Sequence, residues 1–217
     1  MVYQKSIETK KMIVNASKQL FKEQGFRKTT IRQIATKVND LNSATLYYYF
    51  KSKDRIAEEI YAEYYEKIIE LSKKLTVDFY QPLLFFYIQT KIHFKSVFAT
   101  QASKKFYLEI FDLDWFDEFY FQSLFDLAFE IANYYEIDID KEQIILFFIE
   151  TGGAERNILL YHMSGRIALE DEKIINYIIK IFPKLLGINE KLINDLVEEC
   201  DMIIKDVDIS QLNFFGN

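Results

Sequence analysis

Apolar residues recur along this chain at intervals of three and four, the period of a helix with one buried face. Ile13, Ala16, Leu20 and Phe21 share such a stripe. They predict a first helix over 6–24, closed by Gly25, a residue that adopts the left-handed conformation at little cost. Thr30 and Gln33 have the spacing of a capping box, and Ile31, Ile34, Ala35 and Val38 give a second helix its buried face. Asn39 and Asp40 suit a turn, Leu41 an apolar plug, and Asn42 the cap of a third helix in which Leu46, Tyr49 and Phe50 point inward. A fourth helix is expected over 52–75, with Ile56, Ile60, Tyr64, Ile68, Leu71 and Leu75 on one face. Further helices are expected over 82–98, 101–111, 114–135, 140–164, 171–186 and 189–205. Pro82 suits the first turn of one of them, and Pro183 should kink or end another.

Six Gly and two Pro leave little room for a turn-rich β fold. The reading is therefore all-α: a three-helix helix-turn-helix head over 1–52 and a larger helical body over 53–217. No Ser- or Gly-rich linker separates them.

Charge sharpens that division. Residues 1–57 hold 12 Lys and Arg against 4 Asp and Glu, a net of +8, whereas the other 160 hold 15 against 29, a net of −14. The formal net charge of −6 hides a cationic head on an anionic body, which points to a nucleic-acid partner at the basic end. Cys200 is the single cysteine, so no intramolecular disulfide forms and a reducing cytoplasm is expected. The opening Met1-Val2-Tyr3-Gln4-Lys5 begins no secretory h-region, so no leader is expected, and the longest apolar runs are too short to span a bilayer. His93 and His162 are far apart, and neither a metal cluster nor a phosphate loop or nucleophile elbow is visible. A non-enzymatic protein without metal or cofactor is expected.

Residue chemistry divides the labour in the head. Asn42 and Ser43 are short polar groups able to reach base edges, and Ala44 permits close backbone approach. Thr45, Tyr47 and Tyr48 offer hydroxyls to phosphate oxygens, with Lys51 and Lys53 beside the next helix start. Thr30 and Arg32, at the start of the second helix, complete the expected DNA-binding set.

The string Ala44-Thr45-Leu46-Tyr47-Tyr48-Tyr49-Phe50-Lys51-Ser52-Lys53-Asp54, preceded by Gly25-Phe26, Thr29-Thr30-Ile31 and Ile34-Ala35, resembles the tetracycline-repressor-type (TetR) family of bacterial transcription regulators. The resemblance covers roughly residues 6–60. It departs from the family in a turn, 38–42, one residue longer than the usual Ala-Gly-Val-Ser, and in Ala44 where Gly is frequent. The resemblance implies a homodimer on a palindromic operator, a body that binds a small effector, and last long helices that pair between subunits.

For the effector the aromatic density of the body suggests a small lipophilic or planar molecule. His93, Phe94, Tyr107, Phe111, Trp115, Phe119, Glu150 and Asn157 are the expected lining. Ile174, Ile175, Ile178, Ile179, Phe182 and Leu186 cover more than one helical face, which suggests a partner subunit on one side. Gly152-Gly153 inside a helix could serve close packing, a kink or room for a ligand. The reading is a ligand-responsive repressor; the alternative is a DNA-binding protein of the same fold controlled by a protein partner, or one that organises DNA.

Overall fold

A computed structural model describes residues 2–38, 41–78 and 80–216, with side chains from Ser6 onward. The described residues form eleven helices and no strand. The head comprises α1 (Val2–Gln24), α2 (Ile31–Lys37) and α3 (Ser43–Tyr49). The body comprises α4 (Lys53–Leu75), α5 (Pro82–Phe98), α6 (Gln101–Ile110), α7 (Asp114–Tyr134), α8 (Lys141–Met163), α9 (Asp171–Ile178), α10 (Ile181–Leu185) and α11 (Glu190–Ile204).

Local chemistry sets the ends of the head helices. Gly25 has φ +92°, the left-handed value expected for the residue that stops α1. The Thr30 hydroxyl accepts from the Gln33 N–H at 3.2 Å while the Gln33 side chain accepts from the Thr30 N–H at 2.8 Å, closing the capping box. Five residues separate α2 from α3, the longer turn expected from the sequence. Leu41 N–H bonds back to the carbonyls of Ala35 at 2.9 Å and Val38 at 3.0 Å, so the plug is held by the end of α2. Asn39 and Asp40, the expected turn residues, lie outside the described residues. Asn42 Oδ1 accepts from Ala44 N–H at 2.9 Å and so caps α3.

In the body, α5 is buried along almost its whole length, with α4, α6, α7, α9 and α11 around it. A helix enclosed on every side needs no polar face, which is why its apolar residues show little periodicity. Lys91 is fully buried in it. Its ammonium donates to Asn176 at 2.7 Å and pairs with Asp201 and with Glu172 at 3.0 Å, tying α5 to α9 and α11.

Two expectations for the end of the chain are corrected. The helix foreseen over 171–186 is two, broken at Ile179 and Lys180. Proline has no N–H to give to a carbonyl one turn back, but the first turn of a helix needs none. Helix α10 restarts two residues before Pro183 and places it there. The break turns both apolar sides toward the core. Ile174, Ile175, Ile178, Ile179 and Phe182 are each 2% exposed and Leu186 5%, so none of these six is open to a partner subunit. Beyond α11 the chain folds back: Ser96 donates to the Leu212 carbonyl, and Phe214 is buried with its ring 4.2 Å from Tyr64, 5.2 Å from Phe106 and 6.0 Å from Tyr61.

Candidate DNA interface and body cavity

The outer side of α3 follows from its inner side. Leu46 and Phe50 are buried where α3 packs on α2, with Tyr49 half-buried, which leaves Ala44, Thr45, Tyr47 and Tyr48 facing outward. Tyr47 is 51% and Tyr48 82% exposed, a large loss of apolar burial for two tyrosines of one short helix. Asn42 is exposed and Ser43 half-buried beside them. Thr30 and Arg32 are exposed at the start of α2, and Lys51 just past α3. Among the described residues no ion pair engages Arg32 or Lys51. Lys53 differs from the expectation: its ammonium donates to the carbonyls of Phe26 at 2.7 Å and Thr29 at 2.8 Å and lies 4.2 Å from the Phe26 ring centre. Burial lowers its pKa, against opposing pulls from Asp54 and Glu109. It locks the α1–α2 loop to the start of α4.

The head is joined to the body by charge. Lys10 pairs with Glu59 at 2.5 Å and Lys18 with Glu63 at 2.8 Å, from α1 to α4. At the other end of α1, α6 makes the contact. Lys105 Nζ donates to the Gln24 carbonyl at 3.1 Å, and Glu109 accepts from the Arg27 N–H at 3.1 Å. Asp112 receives both the Arg27 and Arg156 guanidiniums at 2.7 Å; the hydrogen bond from Arg156, with the nearby charges, holds its carboxyl below the ordinary value. At Gly25 the approach leaves no room for a side chain: a Cβ there would stand 2.5 Å from Lys105 Nζ.

Inside the body, Tyr61 and Tyr65 from α4, His93 and Phe94 from α5, Tyr107 from α6, Tyr120 and Leu124 from α7 and Glu155 from α8 surround an enclosed cavity of about 20 Å³. Glu155 is 2% exposed; Tyr107 Oη donates to its Oε1 at 2.5 Å, and among the described residues no cation pairs with it. Burial pushes its pKa up to about 7, partly offset by that hydrogen bond. Burial also pushes His93 down to about 3, so the imidazole is neutral. Beyond Tyr120 lies a second hollow of about 150 Å³, lined by Phe111, Asp117, Tyr120, Phe148 and Gly152.

Four of the expected lining residues, His93, Phe94, Tyr107 and Phe111, thus border these two spaces. Trp115 and Phe119 form a layer behind them, packed on the Tyr61 ring at 6.1 and 5.2 Å. Glu150 and Asn157 are corrected: both are exposed on the outside of α8, and Asn157 donates to the Gly153 carbonyl at 2.8 Å. The buried face of α8 is Ile144, Phe148, Thr151, Glu155 and Leu159, and Glu150 stands about 100° away from Thr151 around the axis. That spacing of four, three, four and four was readable in the sequence and leads to Glu155. The outer face of α8 carries Leu146 and Ile149, both more than half exposed, with Gly153 and Leu160 following along it. Next to it an open trough of about 420 Å³ is lined by Phe121, Phe125 and Ile145.

Comparison with known proteins falls first on the head. Residues 13–60 match the model described as bacterial regulatory proteins, tetR family. Over 60 residues the chain is 40% identical to the probable HTH-type transcriptional regulator YttP of Bacillus subtilis (strain 168), an alignment covering 28% of each chain. The sequence match thus spans about a quarter of that relative. Similar solved structures include RolR in complex with resorcinol, with a TM-score of 0.67 and 12% identity over 89% of this chain and 95% of that one. RolR without ligand has a TM-score of 0.62 at 11% identity, over 86% of this chain and 95% of that one. AmtR of Mycobacterium smegmatis has a TM-score of 0.51 at 18% identity, over 89% and 92%. At these identities the likeness is one of fold. No helix among the described residues is long and apolar enough to cross a membrane.

Proposed function

We propose that this chain, which belongs through its head to the TetR family of bacterial transcriptional regulators, is a homodimeric repressor of a palindromic operator, released by a small effector. The observation that carries the reading is the outward face of α3. Two exposed tyrosines, a threonine and a capping asparagine with its neighbouring serine stand on the cationic end of an acidic chain. Asn42 and Ser43 read base edges; Thr45, Tyr47, Tyr48, Thr30, Arg32 and Lys51 hold phosphates. Lys53 shapes the module from behind.

For the dimer, the buried isoleucines of α9 give way to the outer face of α8. Leu146, Ile149 and Leu160 supply apolar surface, and Gly153 permits close approach of a second helix. Two heads on one dimer read half-sites about 34–36 Å apart. For release, α6 is the connecting element, because Tyr107 touches the cavity while Lys105 and Glu109 grip the head. A ligand that favours a different position of α6 favours a different head spacing, and the operator loses affinity in proportion to that preference. RolR, a protein of this fold, was crystallised with resorcinol; a ligand for this chain is read from its own cavity.

A gel-shift titration with DNA from upstream of its own gene, against scrambled competitor at fixed salt, tests the reading. A specific complex of two protomers is expected, weakened by Tyr47→Phe. Equal affinity for operator and scrambled DNA would overturn it.

A further inference from the structure

We infer that the effector is an organic cation, a protonated amine or a quaternary ammonium or phosphonium, whose charge rests against Glu155 inside the tyrosines of the body cavity. The inference rests on the reading of the body as an effector domain and names the chemistry its cavity selects.

A carboxylate in an apolar interior is costly unless a cation or several hydrogen bonds compensate it. Glu155 is buried, its described partner is the one phenol of Tyr107, and no lysine, arginine or histidine among the described residues pairs with it. The cations of the body that could have served are engaged elsewhere: Arg156, its neighbour in sequence, turns out to Asp112, and Lys91 is held by Asp201, Glu172 and Asn176. What does face the carboxylate is aromatic. Tyr61, Tyr65, Tyr107 and Tyr120 line the same small space, with Tyr61 stacked on Tyr65 at 5.9 Å and on Tyr107 at 6.3 Å. Ring faces attract a cation and offer an anion nothing, so a carboxylate with four phenol rings forms a receptor for positive charge. A neutral ligand gains nothing from the ionised form and leaves the acid to protonate, and an anion would meet it head-on.

The surroundings agree with that polarity. The outer hollow across Tyr120 carries a second carboxylate, Asp117, beside Phe111 and Phe148. Gly152 opens toward it, with Phe111 3.8 Å from where a Cβ would stand. Tyr120 lines both spaces, and a ligand that reaches Glu155 from the outer hollow would have to displace its ring. The titratable groups facing Glu155 are Tyr61 and Tyr65 of α4, His93 of α5, Tyr107 of α6 and Tyr120 of α7. Burial raises the four phenols and lowers His93, so all five stay neutral between pH 6 and pH 8. Glu155 changes charge across that interval, and cation affinity should rise with it.

The test uses the full chain and three cations of increasing size: tetramethylammonium, phenyltrimethylammonium and tetraphenylphosphonium. The neutral controls are tert-butylbenzene, which matches the second in shape, and phenol. Binding is followed by calorimetry and by the fluorescence of Trp115, which packs on Tyr61. At least one cation is expected to bind at pH 8, and phenyltrimethylammonium about tenfold or more above tert-butylbenzene. Glu155→Gln, an isosteric change, should remove that preference and leave the neutral compounds unaffected. Wild type should bind the cation several-fold more weakly at pH 6 than at pH 8, a comparison that needs no variant to fold. Failure of all three cations, equal affinity for the neutral isostere, or an unchanged Glu155→Gln variant would each overturn the inference. Operator gel shifts separate this from the regulatory reading. Specific DNA binding without any cation site sinks the inference alone, whereas a cation that binds through Glu155 but leaves operator affinity unchanged sinks ligand release alone.

Discussion

The head and the body use the same side chain for opposite ends. In the head, Tyr47 and Tyr48 stand in solvent around a helix of seven residues. In the body, Tyr61, Tyr64, Tyr65, Tyr87 and Tyr107 are buried, and three of them enclose a carboxylate. Charge is reversed in the same way. Several head cations are matched by acids, as Lys10, Lys18 and Arg27 are, while the body buries an acid that no cation among the described residues pairs with. The lesson is that a polar group at a binding site is recognised by what the fold leaves unfinished. On α3 the unfinished element is burial; at Glu155 it is charge.

The largest effect should come from the region that closes the body. Phe214 lies in the segment after α11, yet it is buried among Tyr64, Phe106 and Tyr61 at the point where body meets head. Phe214→Ala should cost about 3–5 kcal/mol in urea unfolding, the range for a large ring lost from a packed core. If the comparison is sound, Tyr48→Ala, in the head, should change stability by no more than about 0.5 kcal/mol while weakening DNA binding. Comparable losses in the two variants would mean that the exposed tyrosine is structural after all.

Glu155 comes next, with the opposite sign. Its folded pKa of about 7 lies above the ordinary value of 4.5, so folding favours the protonated acid. The stability this contributes is complete below pH 4.5 and is lost as the pH rises through 7. Glu155→Gln should therefore match wild type near pH 4.5 and exceed it at pH 8 by about 3 kcal/mol, from 1.36 kcal/mol per pKa unit. Thermal melts of both proteins across that range provide the check, and parallel curves would show that the carboxylate is compensated in the fold.

Much of the fold was legible because its signals are local. Gly25, the Thr30–Gln33 box and the Asn42 cap each act within four residues, and each predicted boundary lies where the geometry puts it. What escaped depends on contacts distant in sequence. The apolar excess of Ile174 to Leu186 read as a subunit interface, since nothing local reveals that the break before Pro183 lets one core take both sides. Glu150 and Glu155 are equally acidic in the sequence; their different fates follow from which face of α8 meets Tyr107. Lys53 looked like a phosphate ligand because it borders the head, but the carbonyls that hold it are 24 and 27 residues away.

Lys51 and Lys53, two positions apart, separate phosphate binding from support of the fold. Lys51 is exposed, so Lys51→Ala should lower operator affinity uniformly across sequences and reduce the salt slope by about one, with little change in unfolding. Lys53→Ala removes a cation that donates to two carbonyls, and should cost about 1–3 kcal/mol of stability by leaving them without that donor. If Lys53→Ala changes only the salt slope, its bonds to the loop carry no weight and it returns to the phosphate-binding set.

The smallest expected effect is the most pointed for the outer face of α8. Gly153 is exposed in mid-helix, and a Cβ there would meet nothing within 4 Å in the single protomer. Alanine is intrinsically better in a helix by about 1 kcal/mol, so Gly153→Ala should raise the stability of an isolated protomer by that amount. On the proposed dimer, a partner helix seated between Leu146 and Leu160 would be the reason for a glycine at such a cost. Gly153→Ala is then expected to hold this helix farther from its partner and to weaken the dimer in sedimentation equilibrium, even as dilute monomer melts higher. Gly152→Ala is the internal control, because that position faces Phe111 within the body and should leave dimerisation unchanged. A Gly153→Ala protein that melts higher at every concentration and dimerises as wild type does would move the subunit interface off this face. The trough lined by Phe121, Phe125 and Ile145 would then be the next surface to substitute.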